Sequence, residues 1–244
     1  MLDMTRGRAL DGARIALALL ALITAAAGQD SPPPTPAPSP SATTEATPTP
    51  TAPSVRNVRI SFLPPPLEGT ISLGIYNEWD QLVRVLHQEA GLDEFTIGED
   101  ALSTKWDGKD DDGQDLPAGK YQARGFTVGK LKTESLPSPS ASPADLGSSR
   151  SVPVKLMPNP LANDARAIIE LSVGFDDENS FLKTADGLPI YTLARKPNVL
   201  RAGIARAGEK LVDVWEDDGS VVERLRVSNV DRMMAFDCGD FELR

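Results

Sequence analysis

From Val55 to about Leu131, apolar and polar residues alternate along the chain. Val58, Ile60 and Phe62 fall on one face of one segment, and Ile71, Leu73 and Ile75 on one face of the next. Val83 and Val85, then Phe126 and Val128, repeat the pattern. A period of two predicts half-buried antiparallel strands. Leu67-Glu68-Gly69, Asn77-Glu78, Asp112-Gly113 and Ala118-Gly119 supply turn signals between them. Short strands at this spacing predict a β-sandwich over residues 55–131.

The strand pattern resumes after Val154. Ile168–Val173, Leu188–Leu193, Val199–Ala205, Lys210–Trp215 and Val221–Val227 are the expected strands, with Asp186-Gly187, Ala207-Gly208 and Asp218-Gly219 as hairpin turns. The stretches FLKTADGLPIYTL and VDVWEDDGSVVERL share a layout, which suggests a weak repeat of the propeller kind. The strands are too few to close a propeller. Residues 154–244 are therefore expected as a β-meander leaning on the first domain, or as a partial, propeller-like region of something longer.

Two stretches interrupt these patterns. Residues 29–54 are almost wholly Pro, Thr, Ser and Ala and predict an extended, disordered spacer of polyproline character. Residues 132–153 return to Ser, Pro and Ala and are expected as a second linker or long loop. At the start, Arg6, Arg8 and Arg14 precede an apolar run from Ile15 to Ile23 and then the small residues Thr24 to Gly28. That order matches a secretory signal peptide over residues 1–28. The alternative is a retained anchor, but the run is short against the ~20 residues a spanning helix needs. The expected location is extracytoplasmic: periplasmic, at the cell surface or secreted, with no stable membrane span once the signal is cleaved.

Within the first sandwich, TISLGIYNEWDQLVRVL is followed by TKWDGKDDDGQDLPAGKYQAR. The order is a strand ending Ile75-Tyr76, then Leu82-Val83-Arg84-Val85-Leu86, then Trp106-Asp107-Gly108-Lys109-Asp110 with Gly113, then Pro117-Ala118-Gly119-Lys120-Tyr121. Over residues 56–130 this resembles the Ig-like domain of the flagellar hook-capping protein family, a module appended to many secreted bacterial proteins. The turn Asn77-Glu78-Trp79-Asp80 departs from the family pattern, which has a glycine near its end. The resemblance implies an Ig/fibronectin-like sandwich used in assembly or display, not a flagellar role. The residues also explain themselves: Gly119 permits a tight turn, Trp106 anchors a small core, and Asp107 and Asp110 bond loop amides.

The expected fold class is thus all-β: an Ig/fibronectin-like sandwich followed by a β-meander or partial propeller-like region. The net charge of −10 disfavours nucleic acid and anionic lipid. Arg195, Lys196, Arg201 and Arg206 read as a solvated strand face. The single cysteine, Cys238, cannot form an internal disulfide and is expected in a strand.

Asp107, Asp110 and Asp112 lie on a Gly-bearing loop and form a candidate Ca²⁺ site, because Ca²⁺ takes oxygen ligands. The spacing fails the EF-hand pattern, and the competing reading is a solvated turn; no other cofactor is expected. Catalysis is not expected. The only histidine, His87, has no serine elbow for a Ser-His-Asp arrangement, and there is no phosphate-binding or dinucleotide loop. Trp79, in a polar turn, is the candidate contact residue. The reading is a secreted, non-enzymatic interaction or scaffold protein whose partner is a protein or a cell-surface polymer. The alternative is an accessory or truncated portion of a secreted hydrolase or propeller-containing surface protein.

Overall fold

The computed structural model describes residues 56–137 and 151–244. The expected signal peptide, the Pro/Thr spacer and residues 138–150 of the second expected linker lie outside the described residues. Among the described residues, no helix is long and apolar enough to cross a membrane.

The regular structure of the described chain is nearly all β-strand. The first run comprises β1 (Val58–Phe62), β2 (Gly69–Asn77), β3 (Leu82–Ala90), β4 (Thr96–Ile97), β5 (Leu102–Trp106) and β6 (Gly119–Gly129). The second comprises β7 (Lys132–Leu136), β8 (Val152–Lys155), β9 (Ile168–Phe175), β10 (Asn179–Thr184), β11 (Pro189–Arg195), β12 (Arg201–Arg206), β13 (Leu211–Asp217) and β14 (Val222–Ser228), before β15 (Met233–Leu243). Every pairing is antiparallel. The sheets run β1-β5-β4, β15-β6-β2-β3, β12-β13-β14-β7 and β11-β10-β9-β8.

The first two sheets enclose one core. Ile60, Phe62, Ile71, Leu73, Ile75, Trp106, Tyr121 and Phe236 are buried there together. The predicted alternation in β1 and β2 supplies much of it, as period-two burial requires. The other two sheets enclose a second core around Val154, Leu171, Leu182, Leu188, Ile190, Val212, Val214, Leu225 and Val227. The two Asp-Gly hairpins that looked like a repeat lie on opposite sheets of this second sandwich, β10–β11 on one and β13–β14 on the other.

Two findings depart from the sequence reading. The last described strand, β15, expected in a C-terminal meander, pairs with β6 from Met233↔Val128 to Leu243↔Gly119. Residues 132–136, expected in a linker, form β7 and pair with β14. The stretch β7–β14 is therefore inserted between two adjacent strands of the first sandwich. β6 leads into β7, and β14 leads back into β15.

The sheet holding β6 and β15 is buried on both faces, not one. Tyr121, Ala123 and Phe236 face the first core, whereas Phe126, Val128, Met233 and Ala235 belong to the second. A bulge in β15 between Asp237 and Asp240, with Gly239 at φ 86°, resets its alternation so that Leu243 returns to the first core. Close packing shows at Gly125, where an added Cβ would lie 2.2 Å from the Ser72 carbonyl oxygen and 3.0 Å from the Phe236 ring.

Candidate functional site

The motif from Trp106 to Tyr121 builds a rigid connection from β5 to β6. Trp106 is fully buried and donates its indole N–H to the Lys109 carbonyl at 2.8 Å. Its ring packs edge-on against Tyr121 (5.2 Å between centroids) and Phe241 (5.7 Å). The Tyr121 hydroxyl donates to the Pro117 carbonyl at 2.8 Å, tying the start of β6 to the turn before it. Gly108 and Gly113 take positive φ, 79° and 77°, where a side chain would be strained.

The acidic residues of this loop hold backbone. Asp107 accepts from the Lys109 N–H at 3.1 Å, and Asp110 from the Gln114 N–H at 2.8 Å. Asp111 accepts from the Val85 N–H at 3.0 Å, occupying a donor on β3, an outer strand of its sheet. Asp112 is exposed. Among the described residues no three His, Cys, Asp or Glu side chains are placed to hold a metal ion, so the structure does not assemble Asp107, Asp110 and Asp112 into a ligand set. Asp107 and Asp110 serve the turn instead, each carboxylate accepting from a backbone amide two or four residues further on.

His87 on β3 has Nε2 2.8 Å from the Thr104 hydroxyl, and its ring lies 4.4 Å from Phe95. Burial pushes its pKa down, and Glu94 opposes this. Cys238 on β15 is half-buried against the first core, and burial pushes its thiol up.

Trp79 stands at the tip of the β2–β3 hairpin with 71% of its surface exposed. The turn beneath it is held firmly. The Asn77 side-chain oxygen accepts from the N–H groups of Trp79 and Gln81, each at 3.0 Å. Asp80 takes φ 59°, in the left-handed region that glycine most readily fills. Asp and Asn tolerate that region better than most residues do.

Asp80 is also braced from below. Arg124 on β6 donates to its carboxylate at 2.9 Å. The same guanidinium lies 3.9 Å from the Tyr76 ring centroid and 3.6 Å from the Asp186 carboxylate. Asp186 belongs to the β10–β11 turn of the second sandwich, so Arg124 joins that turn to the one carrying Trp79. Tyr76 is fully buried, and burial first, then the Asp186 charge, pushes its hydroxyl pKa up against the opposing pull of Arg124. Nearby, Glu89 accepts from the Thr192 N–H at 2.8 Å, a second polar tie between the two sandwiches.

Sequence reasoning singled out Trp79 but not Arg124, Asp186 or Glu89. Their partners are set by register and by packing between distant segments, which no local spacing encodes.

No family model matches the chain, and neither a curated protein nor a solved structure matches it.

Proposed function

We propose that the protein is a non-enzymatic interaction or scaffold module acting outside the cytoplasm, with the β2–β3 hairpin tip as its contact point for a partner protein or cell-surface polymer. Its first sandwich is read as an Ig-like domain of the hook-capping type. The strand orders β1-β5-β4 and β15-β6-β2-β3 support this. So does the Tyr121–Pro117 bond at the start of β6, which has the form of the tyrosine corner of Ig-like sandwiches.

The observation that carries the proposal is Trp79. A large aromatic left 71% exposed on a turn fixed by Asn77, Asp80 and Arg124 has little backbone entropy to lose on binding. Tryptophans of this kind are enriched among residues whose truncation costs an interface about 2 kcal/mol or more.

The test is retention of the purified chain on washed envelope fragments of the producing cells, measured by co-sedimentation. Trp79→Ala is expected to weaken retention about 30-fold, the equivalent of ~2 kcal/mol, with far-UV circular dichroism and Tm unchanged. Equal retention of the two proteins overturns the proposal, as does failure of the unaltered chain to be retained at all.

A further inference from the structure

The second sandwich has an outer face that none of the preceding chemistry uses. In β13, Val212 and Val214 point into the core, so Asp213, Trp215 and Asp217 occupy the opposite face. In β14, Leu225 and Val227 are core residues, which puts Arg224 and Arg226 on that same face. The register sets Arg226 beside Asp213, Arg224 beside Trp215 and Arg201 of β12 beside Asp217.

The charges on this face are layered. Asp213 and Asp217 are each 5% exposed in their side chains, whereas Arg201 is 57%, Arg224 31% and Arg226 34% exposed. Arg226 grips Asp213 through two nitrogens, at 2.8 and 3.1 Å, and Arg224 bonds the same carboxylate. Burial pushes the Asp213 carboxyl up, but these hydrogen bonds outweigh it and hold it below its ordinary range. The carboxylates therefore orient the guanidiniums from beneath, and solvent meets the cationic layer. Two arginines on Asp213 leave one positive charge over, and Glu134 of β7, the register partner of Arg226, is matched by its own ion pair with Lys132.

Trp215 lies among these guanidiniums. It is half-buried, the Arg224 guanidinium is 5.4 Å from its ring, and on the β12 side its register partner is Gly203, which adds no side chain beside the ring. A flat aromatic beside pre-oriented guanidiniums suits a ligand with a ring to stack and a carboxylate to accept from the guanidinium N–H groups not spent on Asp213. Nucleic acid fits poorly, because a polymer with one charge every ~1.7 Å is repelled by a strongly acidic protein. A ring-bearing polymer whose carboxylates are spaced a sugar apart has a lower charge density and meets a smaller penalty.

The geometry points to this face, centred on Trp215, Arg224 and Arg226, as a binding site for a carboxylated polysaccharide of the uronate type. The inference does not rest on the hairpin tip. Trp79 lies on the first sandwich, and the failure of either reading leaves the other standing.

The experiment is titration of the full chain with oligogalacturonate, followed by calorimetry and tryptophan fluorescence. A neutral galacto-oligosaccharide and poly-glutamate of matched length are run beside it. Saturable binding of the uronate is expected, weakening with added salt, with at least tenfold weaker binding of both comparators. Trp215→Leu is expected to reduce affinity tenfold or more. Because that substitution alters strand packing, Gly203→Leu provides a second measurement: it keeps every charged pair, fills the space beside the ring, and is expected to cause a similar loss. No uronate binding overturns the inference. So does poly-glutamate binding as tightly as the uronate, which would make the face a docking site for acidic peptide. So does retention of full affinity by both variants.

Discussion

Removing the Phe236 ring tests whether the inserted sandwich and the one that hosts it fold as a single unit. Phe236 is fully buried in the first core, stacked on Phe62 at 5.0 Å with the rings 11° from parallel. Truncating such a residue to alanine costs about 3–5 kcal/mol, combining lost transfer energy with the cavity left behind. In a protein of this size each kcal/mol moves Tm by about 2–4 °C, so Phe236→Ala is expected to lower Tm by about 6–20 °C. Leu182→Ala empties a site in the second core instead. It is expected to cost about 2–5 kcal/mol, or about 4–20 °C.

The decisive point is which regions respond. Met233 and Ala235 belong to the second core, only one to three residues from Phe236 in the first. β6 is shared in the same way. Neither sandwich can lose its fold without dragging β6 and β15 out of the other. Differential scanning calorimetry should therefore give one transition for each variant. Hydrogen exchange read by mass spectrometry should show β2 in the first sandwich and β10 in the second losing equal protection in Phe236→Ala. Two calorimetric transitions, or loss of protection in β2 with β10 unchanged, would refute the argument that the shared strands couple the two cores.

Two further predictions follow from buried polar groups. Glu216 is fully buried near Ser180 and Lys196, and among the described residues neither of its carboxylate oxygens has a hydrogen-bond partner. Burial raises its pKa, and Ser180 and the Lys196 charge offset this only in part. A carboxyl raised in the folded state contributes stability that is complete below its unfolded value, about 4.3, and is lost as pH rises through the raised folded value. Glu216→Leu is therefore expected to gain Tm relative to the unaltered chain as pH goes from 4 to 8. A Tm difference that stays flat or shrinks over that range, in thermal melts monitored by circular dichroism, counts against it. Tyr121→Phe removes only the hydroxyl that bonds Pro117. It should cost about 0.5–1.5 kcal/mol in urea unfolding with an unchanged m-value, and a cost near zero would show that the bond does not fix the start of β6.

Much of the all-β character is written locally. Val58, Ile60 and Phe62 alternate as β1 does, and Ile71, Leu73 and Ile75 place one face of β2 in the first core. Asp218-Gly219 makes its hairpin with Gly219 at φ 87°. The destination of β15 is not local. Its sequence, MMAFDCGDFEL, mixes residues for two cores and changes face at a bulge, so no single period runs through it. The second buried face of β2 was also hidden, because Ser72 and Gly74 look like the polar side of a half-buried strand. They are small because another layer packs there: a Cβ on Gly74 would lie 3.3 Å from Leu188 of the second core.

The same non-locality explains why Trp79 was visible as a candidate while its support was not. A tryptophan in a polar turn stands out in any sequence. What makes its turn rigid is Asp80 held by Arg124, and Arg124 is reached in turn by Asp186, more than a hundred residues beyond Trp79 along the chain. An unbraced turn would leave an exposed aromatic free to sample many orientations, and binding would have to overcome that entropy. The inserted sandwich thus bears on the host's β2–β3 turn through one shared guanidinium. Its position just before the closing strand brings the β10–β11 turn to β2 and β6, which an appended domain on a linker would not do.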